Sequence, residues 1–584
     1  MKSNFNNYPG VEIRPSNDEC LVGWESIVSK LRHDIEGKKK FTILMECNQG
    51  VLEQEIADEI KKGLQPDNFY YSSDIFLSEG RIKELTAQDV TTDRVFGYIT
   101  RLTLDSFIDS EKLAKARNEI ESRTEGLTIA LGSGASYLIE NPDCYIYLDM
   151  ARWEIQMRMR RNEVNNLGII NIDEGIESKY KRAYFVDWRV LDRFKKTQFN
   201  RWDYVLDTNN MLEPKMITGN LFREGINLAA HQPFSLVPYF DAGPWGGQWM
   251  KEVCDLDKET DNYAWCFNCV PEENSLYLKF GNINFETPSV NVVYYRPVEL
   301  LGEAVYGRFG DEFPIRFDFL DTMDGGNLSL QVHPVTEYIQ QKFGMNYTQD
   351  ESYYLLDAGD DAVVYLGLKE GINSEGMIDD LRHSKETGER FPTEKYVMKW
   401  PAKKHDHFLI PAGTVHCSGK NSMVLEISST PYIFTFKLWD WERLGMDGKP
   451  RPINIEHGKN VINWERTESY TKENLINQIE PIEFGDGWKS EKTGLHESEF
   501  IETRRHWFIK PVIHKQKSGV RVFNVIEGRE IIVKSLENNF APKVFHYAET
   551  FILPASAGDI IIEPYGESKG KECGTILAYV RTNK

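Results

Sequence analysis

The sequence predicts a multidomain protein that is α/β in its first part and mainly β in the rest. At 584 residues the chain is too long for a single hydrophobic core. Buried-strand and helix patterns alternate up to about residue 215, which is typical of a parallel sheet with crossover helices. From about residue 235 the pattern changes to short strands, Gly/Pro turns and aromatic residues, as in antiparallel barrels or sandwiches.

The α/β part is expected to span residues 1–215. Two apolar runs, 38–47 and 144–150, predict buried strands, and the stretch 128–138 predicts a strand followed by a turn. Residues 51–64 have the pattern of a helix. A second, basic helix is predicted for 151–164, and its arginines are interpreted as a solvated face. These three arginines are Arg158, Arg160 and Arg161.

The mainly β part is expected to consist of two further domains, 235–490 and 491–584. A charged stretch at 367–390 interrupts the first of them and predicts a helical insertion. Several strand patterns then return in the second domain, separated by Gly and Pro.

Composition restricts the class of partner. The net charge of −21 argues against binding to a nucleic-acid backbone or an anionic membrane, because both would be repelled. The chain has no apolar run of membrane-spanning length and no secretory or transit pattern at its N-terminus, so we expect a cytoplasmic protein. The eight cysteines are scattered, and Cys266 and Cys269 are interpreted as buried strand residues rather than as a zinc or redox pair.

A possible metal site begins in the stretch NLSLQVHPVTEY, residues 327–338. In an extended strand Gln331 and His333 share one face, either as a solvated edge or as a pair that binds something. Glu351 opens another predicted strand, and His416 follows a Pro-Ala-Gly corner. Two imidazoles, one carboxylate and one amide oxygen suit one Zn²⁺ per chain, with Fe²⁺ or Co²⁺ as substitutes. Because only one ligand is anionic, the ion would stay Lewis acidic.

Residues 235–584 resemble the class I mannose-6-phosphate isomerases of the cupin superfamily. Eight stretches agree in order: VPYFDAGPWGG, FPIRFDFLD, LSLQVHP, DESYYLLD, VVYLGLKEGI, FLIPAGTVH, VLEISS and LWDWERLGMDGKPRPINIE. The resemblance implies two cupin β-barrels, a catalytic one at 235–490 with the helical insertion and a second one at 491–584. It also implies that the metal ligands are Gln331, His333, Glu351 and His416.

The same resemblance implies an enzyme whose partner is a small-molecule sugar phosphate. It implies interconversion of mannose 6-phosphate and fructose 6-phosphate through an enediol, which needs a group that moves a proton between C1 and C2. Glu426 matches a family glutamate and is the candidate base, with acceptance of sugar hydroxyl hydrogen bonds as its alternative. Lys437 falls where the family has an arginine, and Arg443 matches a second family arginine. These three are the expected catalytic residues.

Two substrate-binding positions depart from the family. Family lysines fall on Asp318 and Gln349, and losing two positive charges weakens the hold on a phosphate. Compensation could come from Arg316, Arg443, Lys449 or Arg451, which lie nearby in sequence. Two alternatives to a mannose-6-phosphate isomerase therefore stay open: a non-catalytic metal-containing sugar or sugar-phosphate sensor, and an isomerase of a different, unphosphorylated sugar.

Residues 1–215 resemble the nucleoside (uridine) kinase branch of the P-loop proteins. The resemblance rests on TIALGSGASYL, CYIYLDM and RMRRNE. An active kinase would need a Gly-rich loop ending in Gly-Lys-Ser/Thr after its first strand, where backbone N–H groups and the lysine hold the phosphates. Here that position reads MECNQGVLEQE, with Gly50 alone and glutamates in place of the lysine. We therefore expect a degenerate P-loop kinase-like domain that has lost phosphoryl transfer.

Overall fold

Six β-sheets joined by helices make up the part of the chain that the computed structural model describes. The described residues are 3–430, 434–444, 451–494, 496–497, 499–517 and 519–582. Among their helices, none combines the length and the apolar character needed to cross a lipid bilayer.

Seven of the first eight strands form one sheet. They are β1 (Val11–Arg14), β2 (Leu21–Val22), β3 (Lys40–Cys47), β4 (Asn68–Tyr71), β5 (Gly126–Gly132), β6 (Cys144–Asp149), β7 (Tyr204–Asp207) and β8 (Lys215–Thr218). The sheet has the order β2-β8-β7-β6-β3-β5-β4, in which β3 to β7 run parallel and β8 and β2 add an antiparallel edge. The predicted parallel sheet is confirmed; its likeness to a kinase stays a prediction.

Helices cover this sheet. They are α1 (Gly23–Ile35), α2 (Glu53–Leu64), α3 (Glu79–Val90), α4 (Ser110–Ser122), α5 (Arg152–Arg160), α6 (Ile176–Arg182), α7 (Trp188–Lys196) and α8 (Gly219–Ala229), with a π-helical turn at Ala183–Asp187 between α6 and α7. In α2 the apolar Ile56, Ala57 and Ile60 recur on one face and are buried, as a crossover helix requires.

The solvated-face interpretation of the basic helix was wrong for Arg158. This side chain is only 2% exposed, and its Nη1 donates a hydrogen bond to the backbone oxygen of Gly50 at 2.8 Å. Its Nε donates to Glu154 at 3.0 Å, so the buried charge is paired and hydrogen-bonded. Arg158 therefore anchors the loop that follows β3.

The next thirteen strands form the centre of the mainly β part. They are β9 (Tyr239–Asp241), β10 (Trp265–Cys269), β11 (Ser275–Phe280), β12 (Ile283–Pro288), β13 (Arg316–Asp321), β14 (Leu330–Val332), β15 (Glu351–Ala358), β16 (Val363–Leu368), β17 (Val397–Pro401), β18 (His407–Ile410), β19 (His416–Ser418), β20 (Ser422–Ser428) and β21 (Phe436–Trp439). Cys266 and Cys269 lie in β10 as buried free thiols, which confirms the interpretation from sequence.

Two of the resulting sheets face each other. One has the order β18-β15-β20-β13-β10-β9 and the other β17-β16-β19-β14-β21. Side chains from the two sheets meet, because Glu351 of β15 lies 2.8 Å from His416 of β19. The connecting helices are α9 (Trp249–Val253), α10 (Val290–Tyr295), α11 (Pro297–Leu301), α12 (Glu303–Phe309), α13 (Thr336–Phe343), α14 (Ser374–Thr387), α15 (Thr393–Tyr396), α16 (Ile455–Gly458) and α17 (Glu468–Asn474). Helix α14 confirms the predicted helical insertion.

A second pair of sheets closes the chain. Its strands are β22 (Glu480–Gly485), β23 (Trp488–Gly494), β24 (Ile501–Phe508), β25 (Val512–His514), β26 (Arg521–Glu527), β27 (Glu530–Ser535), β28 (Lys543–His546), β29 (Thr550–Leu553), β30 (Ile560–Pro564) and β31 (Cys573–Val580). They are arranged as β22-β23-β24-β31-β26-β29 and β25-β30-β27-β28. The expected limit between residues 490 and 491 falls inside β23. Two facing pairs of sheets are present, and their description as two cupin barrels stays a prediction.

The α/β part packs directly onto the mainly β part. Strand β1 is not part of the seven-stranded sheet and pairs in parallel with β11. Further along, the ring of Phe96 lies 4.9 Å from that of Phe434, 5.2 Å from that of Phe343 and 5.3 Å from that of Phe436. The backbone N–H of Ile99 donates to the oxygen of Phe343 at 2.9 Å. We call Phe96, Phe343, Phe434 and Phe436 the aromatic cluster.

Candidate metal centre

The metal-binding residues expected from the sequence lie on or next to three strands, two from one sheet and one from the sheet that faces it. Gln331 of β14 is paired directly with His416 of β19. His333 follows the end of β14, and its backbone oxygen accepts a hydrogen bond from the N–H of Gly413 at 3.0 Å. Gly413 has φ +91°, a conformation that favours glycine, so the Pro-Ala-Gly corner fixes both His333 and the start of β19.

Both imidazoles point the same atom at the same carboxylate. The Nε2 atom of His333 lies 3.0 Å from Glu351 Oε2, and that of His416 lies 2.8 Å from Glu351 Oε1. The Nδ1 atoms contact the backbone oxygens of Phe434 at 3.0 Å and Thr414 at 2.9 Å. A carbonyl oxygen can only accept, so each Nδ1 carries the hydrogen and each Nε2 presents a lone pair.

A proton or a metal ion would stabilise this arrangement. Lone pairs of two imidazoles and one carboxylate converge in a space where His333 is 1% exposed and Glu351 and His416 are 0% exposed. Such groups repel one another unless a proton or a metal ion lies between them. Burial opposes protonation of His333, but the Glu351 carboxylate outweighs it and raises the pKa of this imidazole. Two histidines and one glutamate, each histidine oriented by a carbonyl, are a donor set that fits Zn²⁺.

Gln331 lies beside these three residues. Its Nε2 atom is 3.2 Å from His416 Nε2, while its Oε1 accepts a hydrogen bond from the hydroxyl of Thr435 at 3.2 Å. The two ends of a side-chain amide have the same shape. A rotation of half a turn about the Cγ–Cδ bond would therefore direct Oε1 toward His333, Glu351 and His416. Gln331 is thus close enough to be a fourth ligand.

Gln349, expected among the substrate-binding positions, connects two buried acids. Its Nε2 donates to Glu351 Oε2 at 2.8 Å and to Glu426 Oε1 at 3.5 Å, and its Oε1 accepts from the N–H of Phe434 at 2.7 Å. Burial, together with the negative charge of Glu351, raises the pKa of Glu426 well above its usual range. The candidate base therefore adjoins the metal centre and can hold a proton.

Asp318, the other altered lysine position, is neutralised from its own strand. It pairs in register with Glu426 and forms a buried ion pair with Arg316, two residues earlier on the same face of β13. Burial raises the pKa of Asp318, and the guanidinium opposes that shift. Arg316, one of the residues that the sequence suggested as compensation, is thus paired with Asp318.

Three cationic side chains lie near the place where β21 pairs with β14. Half-buried Lys437 is paired in register with Gln331. Arg443 Nη1 and Arg451 Nη1 lie 3.4 Å and 2.9 Å from the carboxylate of Asp440. Burial first, and then the charge of Arg451, lowers the pKa of Lys437 to about 8. Three cationic side chains around one carboxylate leave an excess of positive charge that suits an anion.

We call Lys437, Arg443, Arg451 and Asp440 the basic group. Asp440 was missed in the sequence, where its only signal is its position three residues before Arg443. Its Oδ1 also accepts a hydrogen bond from the hydroxyl of Ser329 at 2.6 Å, which holds the carboxylate in place. Lys449, the third residue suggested as compensation, lies outside the described residues.

Comparison with known proteins supports a partial homology. Residues 23–231 match a family described as a domain of unknown function (DUF8485). The chain is 26% identical over 220 residues to mannose-6-phosphate isomerase of Streptococcus mutans, an alignment that covers 37% of this chain and 64% of that protein, just under two thirds. It is 22% identical over 338 residues to mannose-6-phosphate isomerase ManA of Bacillus subtilis, covering 57% and 94%.

Among solved structures, mannose 6-phosphate isomerase from Bacillus subtilis is similar to this chain with a TM-score of 0.49. The two are 19% identical, and the match covers 60% of this chain and 100% of that one. Over part of its length the chain is thus homologous to mannose-6-phosphate isomerases.

Proposed function

We propose that the chain is a metal-dependent aldose–ketose isomerase that interconverts mannose 6-phosphate and fructose 6-phosphate, with one Zn²⁺ per chain. The observation that carries this proposal is the convergence of the lone pairs of His333, Glu351 and His416 next to a buried, protonatable Glu426. The sequence similarity to mannose-6-phosphate isomerases over part of the chain supports it.

The protein groups around the centre have distinct roles in this proposal. A bound zinc ion would polarise the sugar carbonyl and hydroxyl oxygens as a Lewis acid. Glu426 takes the proton from one of the two carbons C1 and C2 and returns it to the other. Gln349 holds the Glu426 carboxyl at 3.5 Å, and this carboxyl is buried beside the metal centre.

The charges around the centre divide the substrate between two places. Arg316 balances Asp318 and faces the acids, so it favours the neutral, hydroxyl-rich part of a sugar rather than adding a free positive charge. The basic group has the excess positive charge needed for a phosphate, and Lys437 lies opposite Gln331 at the edge of the metal centre. We therefore assign the phosphate to the basic group.

A Lys437→Met variant is expected to raise KM for mannose 6-phosphate about tenfold or more, with a smaller change in kcat. One charge-assisted contact to a phosphate contributes roughly 1.5–3 kcal/mol. Steady-state kinetics of the zinc-loaded protein measure the effect. Lys399→Met is the matched control, because Lys399 lies on β17 of the same sheet and is paired with Glu394 at the surface. An unchanged KM in the Lys437 variant would exclude the basic group as the phosphate site.

The whole proposal is tested by incubating the zinc-loaded protein with mannose 6-phosphate and following fructose 6-phosphate. The presence of Asp318 and Gln349 at the two lysine positions favours one second candidate, an isomerase of an unphosphorylated sugar. A parallel assay with free mannose distinguishes it. Saturable binding of either sugar without turnover would identify the protein as a sensor and refute the isomerase.

A further inference from the structure

A cavity of about 600 Å³ opens at the carboxyl end of the parallel sheet, away from the metal centre. Strand β3 lies between β5 and β6, so the chain continues to opposite sides of it and a crevice forms at its end. Ligands of open α/β sheets bind at such a point. The loop 48–52, the start of α2 and Ser133 after β5 line the cavity. Because Arg158 holds the oxygen of Gly50, this wall is already in place.

The backbone donors of the turn after β5 are already occupied. Glu46 accepts hydrogen bonds from the N–H groups of Gly134 and, at 2.9 Å, of Ser136. Glu53 Oε1 accepts the N–H of Ser133 at 3.3 Å. Burial raises the pKa of both glutamates to about 7. The protein's own carboxyl groups thus take the place of an anionic ligand in the turn after β5.

The charged side chains that line the cavity are acidic. Among the described residues that line the cavity, four are glutamates and none is Lys or Arg. Glu79 and Glu163 are paired with Lys83 and Arg161, both at 2.7 Å. Glu53 and Glu55 have no ion-pair partner among the described residues, and a cation beside Glu53 would favour its ionised form, so the cavity attracts cations. These glutamates are joined by an apolar surface formed by Phe76, Leu77, Val164, Leu167 and Ile169.

A buried acceptor in the same wall is unpaired. Gln49 lines the cavity and is 5% exposed; its Nε2 donates to Asp187 at 3.0 Å. Its Oε1 has no hydrogen-bond partner among the described residues. An unpaired buried acceptor costs free energy that a ligand N–H would recover. The wall therefore offers acceptors, negative charge and apolar surface together.

From these features we propose that the cavity binds a small organic cation, a primary ammonium group on a carbon skeleton. Glu53 and the Oε1 of Gln49 accept the hydrogen bonds of the ammonium, and the apolar side chains contact the skeleton. The site is separate from the metal centre and does not depend on the isomerase proposal.

Isothermal titration calorimetry on the full zinc-loaded chain tests this proposal. The probes are putrescine, spermidine and glucosamine, with ATP and inorganic phosphate as anionic counterparts. We expect saturable binding of at least one amine and none of the two anions, with affinity that falls as NaCl is raised. A Glu53→Gln variant should weaken the amine roughly tenfold or more, because it removes a charge-assisted contact while preserving shape.

The matched control is Glu59→Gln, since Glu59 lies on the same helix α2, is not among the residues that line the cavity, and ion-pairs with Lys62 at 4.0 Å. It should leave the affinity unchanged. If Glu53→Gln does not fold, as judged by circular dichroism, Gln49→Leu and Glu55→Gln decide in its place. The proposal is overturned if no amine of the panel binds, if the cavity variants bind as tightly as the control, or if ATP binds better than the amines.

Discussion

A Glu351→Gln variant is expected to keep its fold but to lose its bound metal ion. Its kcat/KM should fall about a thousandfold or more. Glu351 is the only anion among the four ligand candidates and contacts both imidazoles, at 3.0 Å and 2.8 Å. Loss of a Lewis acid removes several kcal/mol of transition-state stabilisation, which corresponds to this factor. The fold survives because the glutamine amide can donate to an imidazole Nε2 that otherwise faces a lone pair.

Three measurements on this variant separate metal loss from misfolding. Zinc content by atomic absorption should fall from about one ion per chain to nearly none. The melting temperature of the wild type should rise when zinc is added, because the ion binds the folded state, whereas that of the variant should not change. A variant that keeps its zinc and its activity would contradict the metal centre as described.

A Glu426→Gln variant is expected to reduce kcat by about 10²- to 10⁴-fold with its zinc content unchanged. General acid–base catalysis by a positioned side chain contributes an amount of this order. Glutamine has the same shape and can still hydrogen-bond to Gln349, but it cannot take up and release a proton. Together with Glu351→Gln, it forms a pair of substitutions of the same shape in one buried space, of which one removes the metal and the other leaves it.

Solvent exchange identifies the role of Glu426. In deuterated water the wild type should transfer deuterium to the carbon that receives the proton, and the variant should show no transfer above its residual turnover. A variant with normal kcat and a raised KM would instead assign Glu426 to the binding of sugar hydroxyls, which is the alternative that the sequence left open.

The candidate site was more predictable than the charges around it. Gln331 and His333 could be paired because alternation along a strand tells which side chains share a face, whereas Glu351 and His416 were assigned through the resemblance to the isomerase family. The ion pair between Arg316 and Asp318 follows the same rule, but the sequence does not tell that both side chains are buried against Glu426. Charge compensation depends on register between strands, which a single sequence does not contain.

In the N-terminal part, strand and helix types could be predicted, but burial of charged residues could not. The apolar runs of β3 and β6 and the periodicity of α2 correspond to observed elements. Arg158 was misassigned because a buried and a solvated arginine look alike in sequence, and only its contacts with Gly50 and Glu154 distinguish them. The parallel pairing of β1 with β11, in which Val11 is paired with Leu278, had no local signal either.

Through the aromatic cluster, a site in the second half of the chain depends on a residue of the first half. Phe434, which contacts Phe96 of the first half, also supplies the oxygen that orients His333 and the N–H that holds Gln349. A fragment beginning near residue 235 would lack Phe96, whose ring packs against the other three phenyl rings of the cluster. The backbone of Phe434, which contacts His333, would lose this support. Under the proposed function, dividing the two halves between separate genes would therefore weaken the proposed metal centre, and a substitution at Phe96 would be selected against although Phe96 lies in the other half.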